Sequence, residues 1–135
     1  MIVVIDTNVL LVSISERSKH HWIYKSLIDN KYELAVSNEI LNEYEEKIGE
    51  HWHPNVAKTV IRTLLELPNV KLINIYYNFN LITADPDDNK FVDCAVAANA
   101  AYLVSNDRDF DVMKTVEFPK LAVINAAVFK EKLEQ

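Results

Sequence analysis

Short apolar runs alternate along this chain with longer stretches in which apolar positions recur every three or four residues. Ile2, Val3, Val4 and Ile5 form an unbroken β-branched run, the mark of a strand buried on both faces. Shorter runs over 34–36, 70–75, 102–104 and 121–124 predict four more strands. Between them, helical spacing predicts helices over 19–29, 38–50, 54–67 (ended by Pro68), 88–100 and 126–134, with a short one over 109–115. Ser37 or Asn38 stands where a cap is needed for the second of these, and Ile40, Leu41, Tyr44 and Ile48 form its apolar stripe. Strands alternating with helices imply an α/β protein, a three-layer α/β/α sandwich around a central parallel five-stranded sheet, joined by right-handed crossovers. No repeat or Pro/Gly/Ser-rich linker interrupts the pattern, so residues 1–135 are expected to form a single domain.

Composition adds exclusions. Half of the residues are hydrophobic, enough for a substantial core. Twenty acids against 14 Lys and Arg give a net charge of −6. That argues against a module held to nucleic acid by bulk attraction, but not against an enzyme whose acids gather a cation. Cys94 is the one cysteine, so neither an internal disulfide nor a zinc cluster is available, and it reads as a small buried hydrophobe. The apolar start MIVVIDTNVLLVSI lacks a basic leading region, is interrupted by Asp6 and falls short of the roughly 20 residues needed to span a bilayer. A cytoplasmic protein with no membrane partner is expected. The one glycine, Gly49, leaves no phosphate-cradling loop, dinucleotide turn or nucleophile elbow. His51 and His53, two residues apart, do not share a helix face, and read as helix-end or loop residues.

In open parallel sheets ligands bind beyond the carboxyl ends of the strands, where strand order reverses. The first strand runs into Asp6-Thr7-Asn8, and the fourth into Ser105-Asn106-Asp107-Arg108-Asp109-Phe110. With the first strand central and the fourth beside it, Asp6 and Asp107 share one crevice. Taken alone, Asp6 also reads as a helix cap, and Asp109 as the cap of the short helix that follows it. Glu43 lies at the edge of its helix's apolar stripe, although Glu39, Glu45, Glu46 and Glu50 make a solvated acidic face the plainer reading. Asp85-Pro86-Asp87-Asp88 reads as a turn into a helix, and Asp93 is a charge among Phe91, Val92, Cys94 and Ala95. A carboxylate in such company needs a partner. Two carboxylates about 5 Å apart repel by roughly 3 kcal/mol at an effective dielectric near 20, so acids brought together call for a cation. All-oxygen ligands suit Mg²⁺ or Mn²⁺. Lys19, Arg62, Lys90 and Arg108 are available to hold a phosphate backbone.

The strand ending in Asp6-Thr7-Asn8, the helical Glu43 and the segment DPDDNKFVDCAVAANAAYLVSNDRDF together resemble the PIN domain over essentially the whole chain. The likeness is closest to the bacterial and archaeal toxin components of toxin–antitoxin pairs, among them VapC-type toxins. The resemblance implies sheet order 3-2-1-4-5 and a Mg²⁺- or Mn²⁺-dependent endoribonuclease. It matches the family's acids to Asp6, Glu43, Asp93 and Asp107, its hydroxyl position to Ser105 and the polar residue that orients the first Asp to Asn8. Asp88 and Asp109 are expected auxiliaries. It further implies an RNA substrate, a small antitoxin partner and a homodimer. Two alternatives stand beside this reading. One is a PIN-like module that binds RNA or protein without cutting. The other is a receiver-type phosphoacceptor domain, which lacks here its acceptor Asp after strand three and its lysine after strand five.

Overall fold

The computed structural model describes residues 1–135. Five parallel strands form one sheet in the order β3-β2-β1-β4-β5. They are β1 (Ile2–Ile5), β2 (Glu33–Val36), β3 (Val70–Leu72), β4 (Tyr102–Val104) and β5 (Val123–Ile124). Helices α1 (Thr7–Ser13), α2 (His21–Ile28), α3 (Asn38–His51), α4 (Pro54–Glu66), α5 (Asn89–Ala97) and α6 (Ala126–Glu134) cover it in a three-layer α/β/α arrangement. A receiver-type domain would have the order 2-1-3-4-5, and the observed order sets that alternative aside.

β1 sits mid-sheet, and Val3, Val4 and Ile5 are fully buried. Each such side chain contributes roughly 1.5–3 kcal/mol through burial. The buried apolar residues form one continuous core. Tyr44 crosses it from α3, and its hydroxyl donates to the Ile5 carbonyl. Phe129 of α6 packs on Trp22 and Tyr32, with ring centroids 5.7 and 5.1 Å apart.

Caps set the helix starts. Ser37 Oγ accepts the Ile40 amide hydrogen at 3.3 Å, and Asn125 Oδ1 accepts that of Val128 at 2.9 Å. His53 caps α4 through Nδ1, with Pro54 at the first helical position, so this histidine is a helix-end residue. Several boundaries differ from the sequence pattern. β3 stops at Leu72 rather than 75, because it is an edge strand with Lys71 and Leu72 exposed. β5 is reduced to two residues. α5 spans Asn89–Ala97 rather than 88–100, and the chain turns away through Asn99 at φ 52. α1 was not anticipated as a separate element: only Asp6, Thr7 and Asn8 separate its apolar residues from those of β1. The expected short helix is a 3₁₀ helix over Arg108–Thr115. Its cap is Asp107 and not Asp109, since Asp107 Oδ1 accepts the Asp109 amide hydrogen at 2.9 Å.

Candidate active site

The β1–β4 register aligns Ile5 with Val104, so the residues that follow, Asp6 and Ser105, emerge together at the carboxyl edge of the sheet. Ser105 Oγ donates to Asp6 Oδ2 at 2.8 Å and accepts the Asp107 amide hydrogen at 3.0 Å. One hydroxyl thus ties two acidic positions together. Asp6 occupies the cap position of α1 without making a side-chain cap, so the helix-cap reading does not hold and its carboxylate is free for other work. It is only 5% exposed. Asp6 and Asp107 line one crevice with Asn8, His20 and Asn106. Asn8 is exposed there, and it is Ser105 that orients the Asp6 carboxylate.

Glu43 reaches the same edge from α3. It accepts a hydrogen bond from the Thr7 hydroxyl and pairs with Lys90 at 2.9 Å. Both charges are largely covered, with the Lys90 and Glu43 side chains 13% and 19% exposed. Glu43 is therefore no member of the solvated acidic face of its helix.

The loop before α5 brings more acid. Asp85 caps the 3₁₀ turn Pro86–Asp88, accepting the Asp87 amide hydrogen at 3.2 Å. One carboxylate oxygen from each of Asp85, Asp88 and Asp109 lies within 4.8 Å of the other two. Asp88 Oδ2 is sealed from solvent and has no hydrogen-bond partner.

The electrostatics show how closely these groups crowd. Burial pushes the Asp88 carboxyl up to about 7, with the charges of Asp6, Asp85, Asp107 and Asp109 adding to the rise. Burial also raises Asp6; the Ser105 hydrogen bond pulls it back, while Asp107 and Glu43 push it further up. Burial disfavours the Lys90 ammonium, but the hydrogen bond and charge of Glu43, with Asp87 and Glu39, outweigh it and hold Lys90 above its ordinary value.

Asp93 lies elsewhere. It lies within α5, five residues after Asp88, which ends the turn before that helix. It lines a separate hollow with Glu39, Asn80 and Lys90, whose walls include neither Asp6 nor Asp107. Its Oδ1 accepts the Phe79 amide hydrogen at 3.0 Å. Burial raises its carboxyl, the Phe79 amide lowers it, and Glu39 is the neighbouring acid whose charge it feels. Of the acids anticipated from the sequence, the structure thus gathers Asp6, Glu43, Asp107, Asp88 and Asp109, and sets Asp93 apart. Asp85 and Thr7 were not anticipated as site residues, and only the Asp-Pro-Asp-Asp turn signalled the first. Cys94, the next residue of α5, is buried, with its thiol pushed up to about 12 by burial and the Asp93 charge.

An acid-rimmed crevice at the switch point of a 3-2-1-4-5 parallel sheet matches a known domain type. The family model of the PIN domain matches residues 2–109, and this chain belongs to that family, whose members are generally nucleases. Among solved structures, the chain is similar to one in VapBC2 from Rickettsia felis bound to a DNA fragment from its promoter. That match has 19% identity and a TM-score of 0.63, and covers 93% of this chain and 98% of the other. DNA-bound VapBC from Salmonella typhimurium gives 15% identity and a TM-score of 0.59, with the same coverage of 93% and 98%. At such identities the likeness establishes the fold. No curated protein matches the chain. No helix is long and apolar enough to cross a membrane.

Proposed function

We propose that this PIN domain is an endoribonuclease that hydrolyses RNA phosphodiester bonds with Mg²⁺ or Mn²⁺. The observation that carries the reading is Asp88 Oδ2, a carboxylate oxygen closed off from water, without a donor, in a cluster with Asp85 and Asp109. Leaving such a group unsatisfied costs about 1–3 kcal/mol, more when it is charged. A cation in its reach removes that cost and offsets the mutual repulsion of the surrounding acids. The donor set is oxygen alone, which fits a hard divalent ion.

Asp6, Asp88 and Asp107 would hold the ion, with Asp109 and Asp85 beside them and Glu43 completing the negative surround. Asp93, expected as a ligand from the family resemblance, is left out of this set because it lines a different hollow. When bound, the ion lowers the pKa of a coordinated water and neutralises charge building on phosphate oxygens. The chain's own residues prepare the site. Ser105 fixes the rotamer of Asp6. Thr7 and Lys90 hold Glu43 in place, one by a hydrogen bond and the other by an ion pair. Arg108, exposed next to Asp107, would meet a phosphate of the RNA backbone.

The fold shared with VapBC chains supports a wider setting. In it the 135 residues act as one domain, the toxin of a toxin–antitoxin pair, homodimeric and restrained by a small antitoxin in the cytoplasm.

Purified protein is expected to cut RNA only when Mg²⁺ or Mn²⁺ is added, and to stop on chelation. Asp6→Asn should keep its circular dichroism spectrum and lose on the order of 100-fold in rate. Cleavage by Asp6→Asn at the wild-type rate would overturn the assignment, and calorimetry that detects no Mn²⁺ binding would turn the reading toward a non-cutting module.

A further inference from the structure

Asp93 is a buried carboxylate for which the acid crevice has no use. It is only 4% exposed. Its Oδ1 takes the Phe79 amide hydrogen, while Oδ2 has no donor in the protein and is not sealed in as Asp88 Oδ2 is. The carboxylate lines a hollow of about 240 Å³ whose other walls include Ser37, Glu39, Asn78, Asn80 and Lys90, with Ile75 as the single hydrophobic side chain. That volume lies below the roughly 300–1,000 Å³ of ordinary small-molecule pockets, so it suits one ring system and not a dinucleotide or a folded peptide segment. Its acceptors outnumber its donors. A phosphate is repelled there, and a neutral edge bearing N–H groups is welcome.

Two further observations point to the occupant. Lys90 pairs with Glu43 of the acid crevice and lines this hollow as well, so whatever fills the hollow lies one side chain from the reacting centre. The segment after β3 carries Tyr76 and Tyr77, 91% and 66% exposed. Tyr76 stands on the wall of an adjoining hollow that shares Ser37, Glu39 and Ile75 with the first. Exposed aromatic faces beside a polar recess are how unpaired RNA bases are held: the faces stack, and the recess takes the Watson–Crick edge.

We infer that this hollow reads one unpaired guanine of the RNA substrate, with Asp93 accepting the N1–H and N2–H of its Watson–Crick edge and Tyr76 stacking on a neighbouring base. Guanine is the base that presents two adjacent donor groups to one carboxylate, and its O6 beside them is an acceptor for the Lys90 ammonium. Adenine and cytosine each offer one amino group next to a ring acceptor that a carboxylate repels, and uracil offers a single N–H between two carbonyls. The inference rests on the RNA-cleaving reading for its substrate class.

The test is binding of short fluorescent RNAs, measured by anisotropy with no divalent ion present. UUGUU is expected to bind about tenfold more tightly than UUUUU, UUAUU or UUCUU. Replacing guanine by inosine, which lacks the N2 amino group, should remove most of that preference, as should Asp93→Asn. Tyr76→Ala should weaken all the RNAs alike by several-fold. Equal affinity for every RNA, a preference that survives Asp93→Asn, or no binding of any RNA overturns the inference. The inosine comparison leaves the protein untouched, so it decides even where a variant misfolds. Because the measurement omits the cation, a guanine preference can persist where Mn²⁺-dependent cleavage is absent, and cleavage can occur without the preference. The two readings therefore fail separately.

Discussion

The acid crevice and the hollow beside it are built from the same residue type and meet at one lysine, yet they are opposite environments. Beside the crevice, Asp88 has no donor for its buried oxygen, and burial with four neighbouring acids drives its carboxyl up to about 7. In the hollow, Asp93 is raised by burial too, but a backbone amide works against the rise and Glu39 is the one opposing acid. In the first region Lys90 answers Glu43, while Asp6, Asp85, Asp88, Asp107 and Asp109 have no ion-pair partner, so it is a place for a cation. The second has spare acceptor capacity and is a place for neutral N–H groups. Lys90 sits between them, its charge spent chiefly on Glu43. A buried aspartate is thus defined by what its neighbours fail to supply, and not by being buried or acidic.

The sharpest way to break this contrast is to neutralise each acid in turn. Asp88→Asn should weaken Mn²⁺ binding, read by calorimetry, by about 10–100-fold. Asp93→Asn should change it by less than about twofold, a small effect beside the 10–100-fold of a metal-site partner. An Asp93 variant that loses as much Mn²⁺ affinity as the Asp88 variant would merge the two regions into one.

A smaller loss is expected from the support behind Asp6. Ser105→Ala removes the donor to Asp6 Oδ2 and the acceptor of the Asp107 amide. Mn²⁺ affinity should fall about tenfold, and denaturant unfolding should show about 1 kcal/mol of lost stability. Unchanged affinity would mean that Asp6 is oriented by something other than this hydroxyl.

The mildest effect is on stability against pH in the presence of chelator. Asp88 has an ordinary value of 3.8 and a folded value of about 7. Between about pH 4 and pH 7 the folded chain keeps a proton that the unfolded chain has lost, so stability falls as pH rises through that window. Asp6 and Asp93, also raised, act in the same direction. The melting temperature should drop by a few degrees across the window, flatten in Asp88→Asn, and recover when Mg²⁺ is added at neutral pH. A melting temperature that rises through the window, or a Mg²⁺ response equal in Asp88→Asn, would remove the crevice's claim to be the charge-starved region.

Local periodicity along the chain was enough for the kind and order of the elements. An unbroken β-branched run makes β1, a stripe of Ile40, Leu41, Tyr44 and Ile48 makes α3, and Asp6 and Asp107 necessarily follow strands whose carboxyl ends point one way. The PIN domain could be recognised from the same segments. Tertiary structure decided what each acid meets. Ser105 reaches Asp6 across 99 positions of sequence, Glu43 finds Thr7 and Lys90 from another helix, and Asp88, ending the turn before α5, joins the cluster while Asp93, within α5, turns away. Spacing along the chain reports which residues share a helix face or a strand edge. Repulsion, desolvation and an unanswered hydrogen bond depend on distances through space, and those distances exist only once the sheet has set the strand ends side by side.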